Sequence, residues 1–178
     1  MKFSDWVRDM PVAGLVGPGE SEILDLTCDS REVGPGWAFV ALKGEKSDGA
    51  DFLPQVLQRG ASAVLSESPV TLPSHLAGWR LIDGRFTMGR LSKKLFGAPD
   101  EHLALVGVTG TNGKTTTTTL IRQLLRASGI GCGLVGTVLN AAGEVEEEAV
   151  RTTPESPTFY RWLQRSVAAG DAAAAVEV

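Results

Sequence analysis

The run Gly107-Val-Thr-Gly-Thr-Asn-Gly-Lys-Thr-Thr-Thr-Thr-Thr119 decides how the rest of this chain is read. It follows an apolar segment, Leu103-Ala-Leu-Val106, and opens into the helix-like Leu120-Ile-Arg-Gln-Leu-Leu-Arg-Ala127. Strand, glycine-rich turn, Lys-Thr and helix is the order that cradles a nucleoside triphosphate. Backbone N–H groups of the turn and of the helix start point at the phosphates. Lys114 is placed to reach the β- and γ-phosphates, and the Thr115 hydroxyl to ligate Mg²⁺. Gly110, Thr111, Asn112, Gly113 and Thr116 complete the candidate ATP-binding set. The strict pattern for such a loop has glycine five residues before Gly113, where this chain has Val108; its glycines are Gly107, Gly110 and Gly113. The competing explanation is a glycine-rich turn with a lysine by chance. Five consecutive threonines after the lysine argue against it, because β-branched residues are poor helix formers.

Around that run the composition is that of an ordinary globular protein: 178 residues, 43% apolar and 21% charged. A net charge of −4 offers no basic surface for a nucleic-acid backbone. Cys28 and Cys132 lie far apart and read as reduced thiols of a cytoplasmic protein. The opening Met1-Lys-Phe-Ser-Asp-Trp-Val-Arg-Asp9 is too polar for a secretory signal, and no apolar run approaches membrane-spanning length. His75 and His102 have no cysteine or carboxylate at ligand spacing, so a His/Cys metal site is not expected.

Residues 22–97 read as a small α/β unit. Strands are expected at Leu24–Cys28, Trp37–Leu42, Ala61–Leu65 and Trp79–Ile82, with helices at Phe52–Arg59, closed by Gly60, and at Thr87–Phe96. Alternating strands and helices imply a sheet covered by helices. After Pro99 the P-loop unit continues through a strand at Gly133–Val138 and a turn at Asn140-Ala-Ala-Gly143. The acidic run Glu144–Glu148 reads as a solvated hairpin or loop. A helix through Tyr160, Leu163 and Val167 follows, and then a buried strand at Ala172–Val176. By this reading residues 100–178 supply three strands, fewer than a parallel P-loop sheet needs. The ATP-binding domain reads as cut in mid-sheet, with an exposed final strand and poor order on its own.

Four further signals are weak singly. Asp29-Ser30-Arg31 is a plausible turn, but it ends a strand, where α/β sheets put ligands. Lys43-Gly-Glu-Lys-Ser-Asp-Gly49 reads as a solvated loop. Thr152-Thr153-Pro154-Glu155 makes a helix start with threonine as cap and proline at the first position. Glu177 ends an apolar strand, on the side where a P-loop fold holds a Mg²⁺-directed acid.

Taken in order, these segments resemble the Mur ligase family, the ATP-dependent ligases that add amino acids to the peptidoglycan precursor. Gly107-Val-Thr-Gly-Thr-Asn-Gly-Lys-Thr-Thr116 is similar to the family's ATP loop, in which this glycine spacing is normal. Asp29-Ser-Arg31, Trp37–Leu42, Asp48-Gly49 and Gly60–Leu65 resemble the amino-terminal domain of two branches, which add a diamino acid or D-alanyl-D-alanine. Gly136-Thr-Val138, Thr152-Thr-Pro-Glu155 and Val176-Glu-Val178 resemble the diamino-acid branch. The resemblance implies a UDP-N-acetylmuramoyl-binding domain at 1–98 and the first part of the central ATP-binding domain at 99–178. It implies that Ser30 contacts uridine, that Cys28 is a neighbouring contact, and that Glu45, Lys46 and Ser47 lie in a loop along the nucleotide. Thr152 and Thr153 match a pair that contacts the muramoyl-peptide. Lys114 and Glu177 take catalytic roles, Thr115 and Glu177 hold Mg²⁺, and Arg151 stands where some members have asparagine. The substrates implied are ATP, UDP-N-acetylmuramoyl-L-alanyl-D-glutamate and a diamino acid. The lysine that becomes carbamylated and the domain that selects the amino acid are expected beyond Val178, so this chain alone is expected to be inactive. Two other readings stay open: the D-alanyl-D-alanine-adding branch, and a non-catalytic UDP-sugar or nucleotide-binding module. Folate polyglutamate ligases share the ATP loop but should lack the Asp-Ser-Arg domain.

Overall fold

The computed structural model describes residues 1–10, 12–16, 20–44, 47–149 and 154–178, with backbone alone at 12–16. The chain divides into two compact units, Met1–Leu95 and Phe96–Val178.

The first unit runs α1 (Phe3–Val7), β1 (Val12–Val16), β2 (Asp25–Thr27), β3 (Trp37–Ala41), α2 (Leu53–Gln58), β4 (Ala63–Ser66), β5 (Ala77–Leu81) and α3 (Gly84–Leu95). Its sheet has the order β1-β5-β4-β3-β2, with β2 to β5 parallel and β1 antiparallel on β5. Side chains alternate across it with the period of two that a strand imposes. Ala38 and Val40 of β3, with Ala63 and Leu65 of β4, pack with Phe3 and Trp6 of α1 and Met88 and Leu91 of α3. Phe39, Ala41 and Val64 take the other face, with Leu53 and Val56 of α2. Both faces are thus covered, as a parallel sheet requires. Trp6 is fully buried, and its indole N–H donates to the Leu91 carbonyl at 2.9 Å, which spares it an unpaired buried donor. Helix α2 ends as its glycine indicates. Gly60 has φ +84°, and the N–H groups of Gly60 and Ala61 close back on Leu57 and Val56. Helix α3 starts three residues earlier than its apolar spacing suggests, because Asp83 accepts from the Phe86 N–H and caps it.

The second unit runs β6 (Ala104–Val108), α4 (Lys114–Ala127), β7 (Cys132–Val135), β8 (Leu139–Ala142), β9 (Val145–Glu148), α5 (Ser156–Ala168) and β10 (Ala173–Glu177). Its sheet has the order β6-β10-β7-β8-β9; β6, β10 and β7 are parallel, while β8 and β9 form an antiparallel hairpin. Ile121 and Leu125 of α4 cover Cys132, Leu134, Ala173 and Ala175; Trp162 and Leu163 of α5 cover Val135, Ala174 and Val176 on the other face.

Three expectations are corrected here. The sheet has five strands, not three, because Asn140–Ala142 is strand rather than turn, and Glu146–Glu148 pair with it as a solvent-facing edge. The last strand is not an exposed edge. β10 lies between β6 and β7, every residue of it buried, and β6 is the outer strand. Helix α5 does not take Pro154 as its first residue. It begins at Ser156, with Glu155 at the cap position and Pro157 in the first turn.

Candidate functional site

The turn after β6 owes its shape to two glycines. Gly110 has φ +139° and Gly113 +79°, values that a Cβ disfavours. Gly107 lies within β6, and a Cβ there would meet only Val178 at ordinary contact distance. The positions that demand glycine are therefore those of the variant spacing, and Val108 takes nothing from the loop. Gly113 occupies the cap position of α4 and no side chain caps the helix, so its first N–H groups face the turn as an anion site. The Lys114 ammonium donates to the Gly110 carbonyl at 2.6 Å, which folds the side chain over the same turn. Thr111, Asn112 and Thr116 are exposed around it. The threonine run is explained in part by Thr118, which is buried and donates back to the Lys114 and Thr115 carbonyls at 3.1 Å.

Beside the loop, three oxygen-bearing side chains from three elements meet. Thr115 of α4 donates to Glu177 Oε2 of β10 at 3.0 Å. Thr137, after β7, donates from its hydroxyl to Oε2 at 3.3 Å and from its N–H to Oε1 at 3.2 Å. The two hydroxyls are 3.2 Å apart. Glu177 is 4% exposed, and these donors are what make a carboxylate tolerable there. One carboxylate and two hydroxyls form a hard-oxygen donor set with few protein ligands. That suits Mg²⁺, which keeps waters and takes phosphate oxygens for the rest of its shell. No cluster of three His, Cys, Asp or Glu occurs among the described residues. Sequence reasoning named Thr115 and Glu177; it placed Thr137 in the strand expected at Gly133–Val138 and in the Gly136-Thr-Val138 resemblance without a role at the site, whereas the strand ends at Val135 and Thr137 follows it.

In the first unit, the loops after β2, β3 and β4 lie at one end of the sheet. Cys28 is half-buried against the α1–α3 core. The Ser30 hydroxyl donates to Gln55 Oε1 of α2 at 3.3 Å. Arg31 grips Asp29 through Nε and Nη2 at 2.9 and 2.6 Å, closing the Asp-Ser-Arg turn on itself. Ser47 is exposed, and its carbonyl accepts from the Gly44 N–H. The Asp48 carboxyl is held below its ordinary pKa, first by the Ser68 hydroxyl and then by the Ala50 N–H. Glu67, which the sequence reading passed over, ties the loop after β3 to the start of α3 by accepting from the N–H of Lys43 at 2.7 Å and of Gly84 at 2.8 Å. A Cβ on Gly84 would sit 2.7 Å from that carboxylate. Its only sequence signal is an acid directly after a buried strand. Glu45, Lys46, Arg151, Thr152 and Thr153 lie outside the described residues.

A cleft of about 360 Å³ at the other end of the second sheet has Arg126, Glu144 and Asp171 on its walls. There Arg126 donates to the Gly143 carbonyl at 2.7 Å and Asp171 accepts from the Gly143 N–H at 3.0 Å, so its charged groups hold the β8–β9 turn.

A glycine-shaped loop with a lysine, next to a buried hydroxyl–carboxylate cluster, has the arrangement of a P-loop unit. Family comparison agrees: residues 108–178 match the Mur ligase middle domain and residues 22–84 the Mur ligase family catalytic domain. The chain belongs to the Mur ligase family. It is 37% identical to UDP-N-acetylmuramoyl-L-alanyl-D-glutamate--2,6-diaminopimelate ligase of Geobacter sulfurreducens over 178 residues, which is all of this chain and 35% of that one. With the ligase of the same name from Geobacillus kaustophilus the identity is 40%, over 100% of this chain and 36% of the relative. Among solved structures, one of a UDP-N-acetylmuramoyl-L-alanyl-D-glutamate--2,6-diaminopimelate ligase superposes with a TM-score of 0.77 at 26% identity, covering 100% of this chain and 36% of that chain. MurF ligase of Thermotoga maritima, solved in complex with ADP, gives 0.59 at 25% identity, covering 88% and 32%. The chain thus spans about a third of the length of the relatives it matches. No helix among the described residues is long and apolar enough to cross a membrane.

Proposed function

We propose that this chain provides the UDP-sugar-binding and phosphate-binding parts of a cytoplasmic, ATP- and Mg²⁺-dependent ligase that joins a diamino acid to UDP-N-acetylmuramoyl-L-alanyl-D-glutamate in peptidoglycan synthesis. The observation that carries this is the Lys114 loop set beside the Thr115–Glu177 pair, in a chain similar along its whole length to ligases of that name. A carboxylate and an amine do not condense unaided in water. In the proposed reaction the D-glutamate side-chain carboxylate attacks the γ-phosphorus and ADP departs, leaving an acyl phosphate. The amine of the diamino acid then attacks the acyl carbon and phosphate leaves, so that one amide forms for each ATP cleaved.

The residues present supply positioning and charge. Lys114 and the first N–H groups of α4 neutralise the β- and γ-phosphate oxygens. Thr115 and Glu177 hold the Mg²⁺, which when bound neutralises phosphate charge. Ser30, Cys28, Glu45, Lys46 and Ser47 are assigned to the uridine end of the substrate. Thr152 and Thr153 are assigned to its muramoyl-peptide end. We place the boundary between the two binding functions near Pro99. Cys28 and Cys132 as reduced thiols suit a reducing compartment.

The diamino-acid branch is favoured over the D-alanyl-D-alanine-adding branch by structural similarity, with TM-scores of 0.77 against 0.62 and 0.59. The diamino acid to test first is 2,6-diaminopimelate, the one in the relatives' names. The direct test is calorimetric titration of the chain with UDP-N-acetylmuramoyl-L-alanyl-D-glutamate and, separately, with UDP-N-acetylglucosamine. Saturable binding of the first, tighter than the second and weakened by Ser30→Ala, supports the reading. Equal affinity for both sugars, or no binding, removes it.

A further inference from the structure

We propose that Thr137 is a positioning residue for Glu177, and that through Glu177 its hydroxyl sets the affinity of the nucleotide site for Mg²⁺. The inference rests on the nucleotide reading given above and extends it to a residue that the loop motif does not contain. Glu177 is a single buried carboxylate at the end of β10, and residue 137 holds both of its oxygens, with the N–H on Oε1 at 3.2 Å and the hydroxyl on Oε2 at 3.3 Å. The turn carrying Thr137 is itself fixed. Gly136 donates its N–H to Asn140 Oδ1 at 3.2 Å, and Asn140 is 6% exposed. A Cβ on Gly136 would lie 2.6 Å from Glu177 Oε1 and 3.2 Å from the Leu139 carbonyl, so any other residue there would displace the carboxylate.

The proton count gives the hydroxyl its task. Thr115 presents a lone pair to a cation most readily when its proton is directed to an acceptor away from it, and Glu177 Oε2 and Thr137 Oγ1 lie within 3.2 Å to take that proton. Thr137 donates to the same Oε2, so the carboxylate stays oriented whichever of the two receives the Thr115 proton. Without the Thr137 hydroxyl, Oε1 keeps the residue-137 N–H but Oε2 is left to Thr115, which must then restrain that oxygen as well as ligate the cation. Groups that orient a metal's ligands in this way change its affinity by about 10- to 100-fold when they are lost.

The test is the Mg²⁺ dependence of binding of a fluorescent ADP analogue to the 178-residue chain, with Thr137→Val and Thr137→Ser. Thr137→Val is expected to raise the half-saturating Mg²⁺ concentration about tenfold or more. Thr137→Ser should stay near wild type in Mg²⁺ requirement and in melting temperature. Thr137→Val takes one donor from the buried Glu177 carboxylate, so its melting temperature without Mg²⁺ should fall modestly, and the Mg²⁺ titrations are compared at a temperature where both variants are folded. If Thr137→Val fails to fold, Thr137→Ala carries the same comparison. A wild-type Mg²⁺ requirement in the hydroxyl-free variant, or an equal loss in Thr137→Ser, overturns the proposal and leaves the nucleotide reading intact. Failure of the wild-type chain to bind nucleotide at any Mg²⁺ concentration overturns both.

Discussion

The Thr115 hydroxyl lies 3.0 Å from Glu177 Oε2, across 62 residues of sequence. One residue opens the helix after the phosphate loop, and the other closes the strand inserted beside β6. The pairing follows from topology: β10 lies parallel to β6, and Glu177 is in register with Val108, the residue that leads into the loop. Any chain that threads β10 between β6 and β7 delivers an acid at that position to the helix start. Ligands of α/β sheets gather at the carboxyl ends of strands for this reason.

Gly113→Ala is expected to destabilise the second unit by about 1–2 kcal/mol, because its φ of +79° is left-handed backbone that a Cβ disfavours. Gly107→Ala, where a Cβ meets only ordinary contact, should cost less than that. Urea denaturation of the two variants side by side checks the ordering, and equal losses would contradict it.

Trp6→Phe should lower stability by about 1 kcal/mol through loss of the indole bond to the Leu91 carbonyl. Trp6→Ala should cost about 3–5 kcal/mol by leaving a cavity between α1, α3 and the sheet. Chemical denaturation followed by circular dichroism reads both.

Burial pushes the Cys132 thiol up, whereas Cys28 is only half-buried. Iodoacetamide at mildly alkaline pH should therefore label Cys28 first, and Cys132 only after denaturant is added. Peptide mass spectrometry of timed samples distinguishes the two; faster labelling of Cys132 in the native protein would contradict the packing described.

Asp48 is bound more favourably as a carboxylate in the folded chain than in the unfolded one, so its folded pKa is depressed. Its stabilising contribution is present above the ordinary carboxylate value of about 4 and fades as pH falls through the depressed value. The melting-temperature difference between wild type and Asp48→Asn should accordingly hold at neutral pH and shrink in acid. A difference that does not change with pH would count against the Ser68 and Ala50 bonds.

Much of this was legible from residue order alone, and the exceptions have identifiable causes. The loop announced itself because Gly110, Gly113 and Lys114 each meet a separate requirement, of backbone angle or of charge. The strands Trp37–Ala41 and Ala173–Glu177 were visible as apolar runs between turns, as sheets buried on both faces produce. Helix α1 was not visible, since five residues are too few to display a helical period. Strand β8 was hidden because Asn140-Ala-Ala142 has the composition of a turn, and its burial comes from partners on both sides. The position of β10 was misjudged for a related reason. Sequence order says nothing of an insertion between β6 and β7, so the last strand looked like an edge. Thr137 and Glu67 escaped because their roles are set by partners 40 and 24 residues away.

The most direct test of the central claim is calorimetric titration of Mg·ATP into the wild-type chain and into Lys114→Ala. The account predicts saturable binding to the wild type and affinity weaker by about 1.5–3 kcal/mol in the variant, on the scale of losing one hydrogen bond to a charged group. The folded stability of the variant should be unchanged, because Lys114 makes its bond across an exposed loop. No binding by the wild type, or equal binding by the two, would contradict the assignment of this loop to a nucleotide.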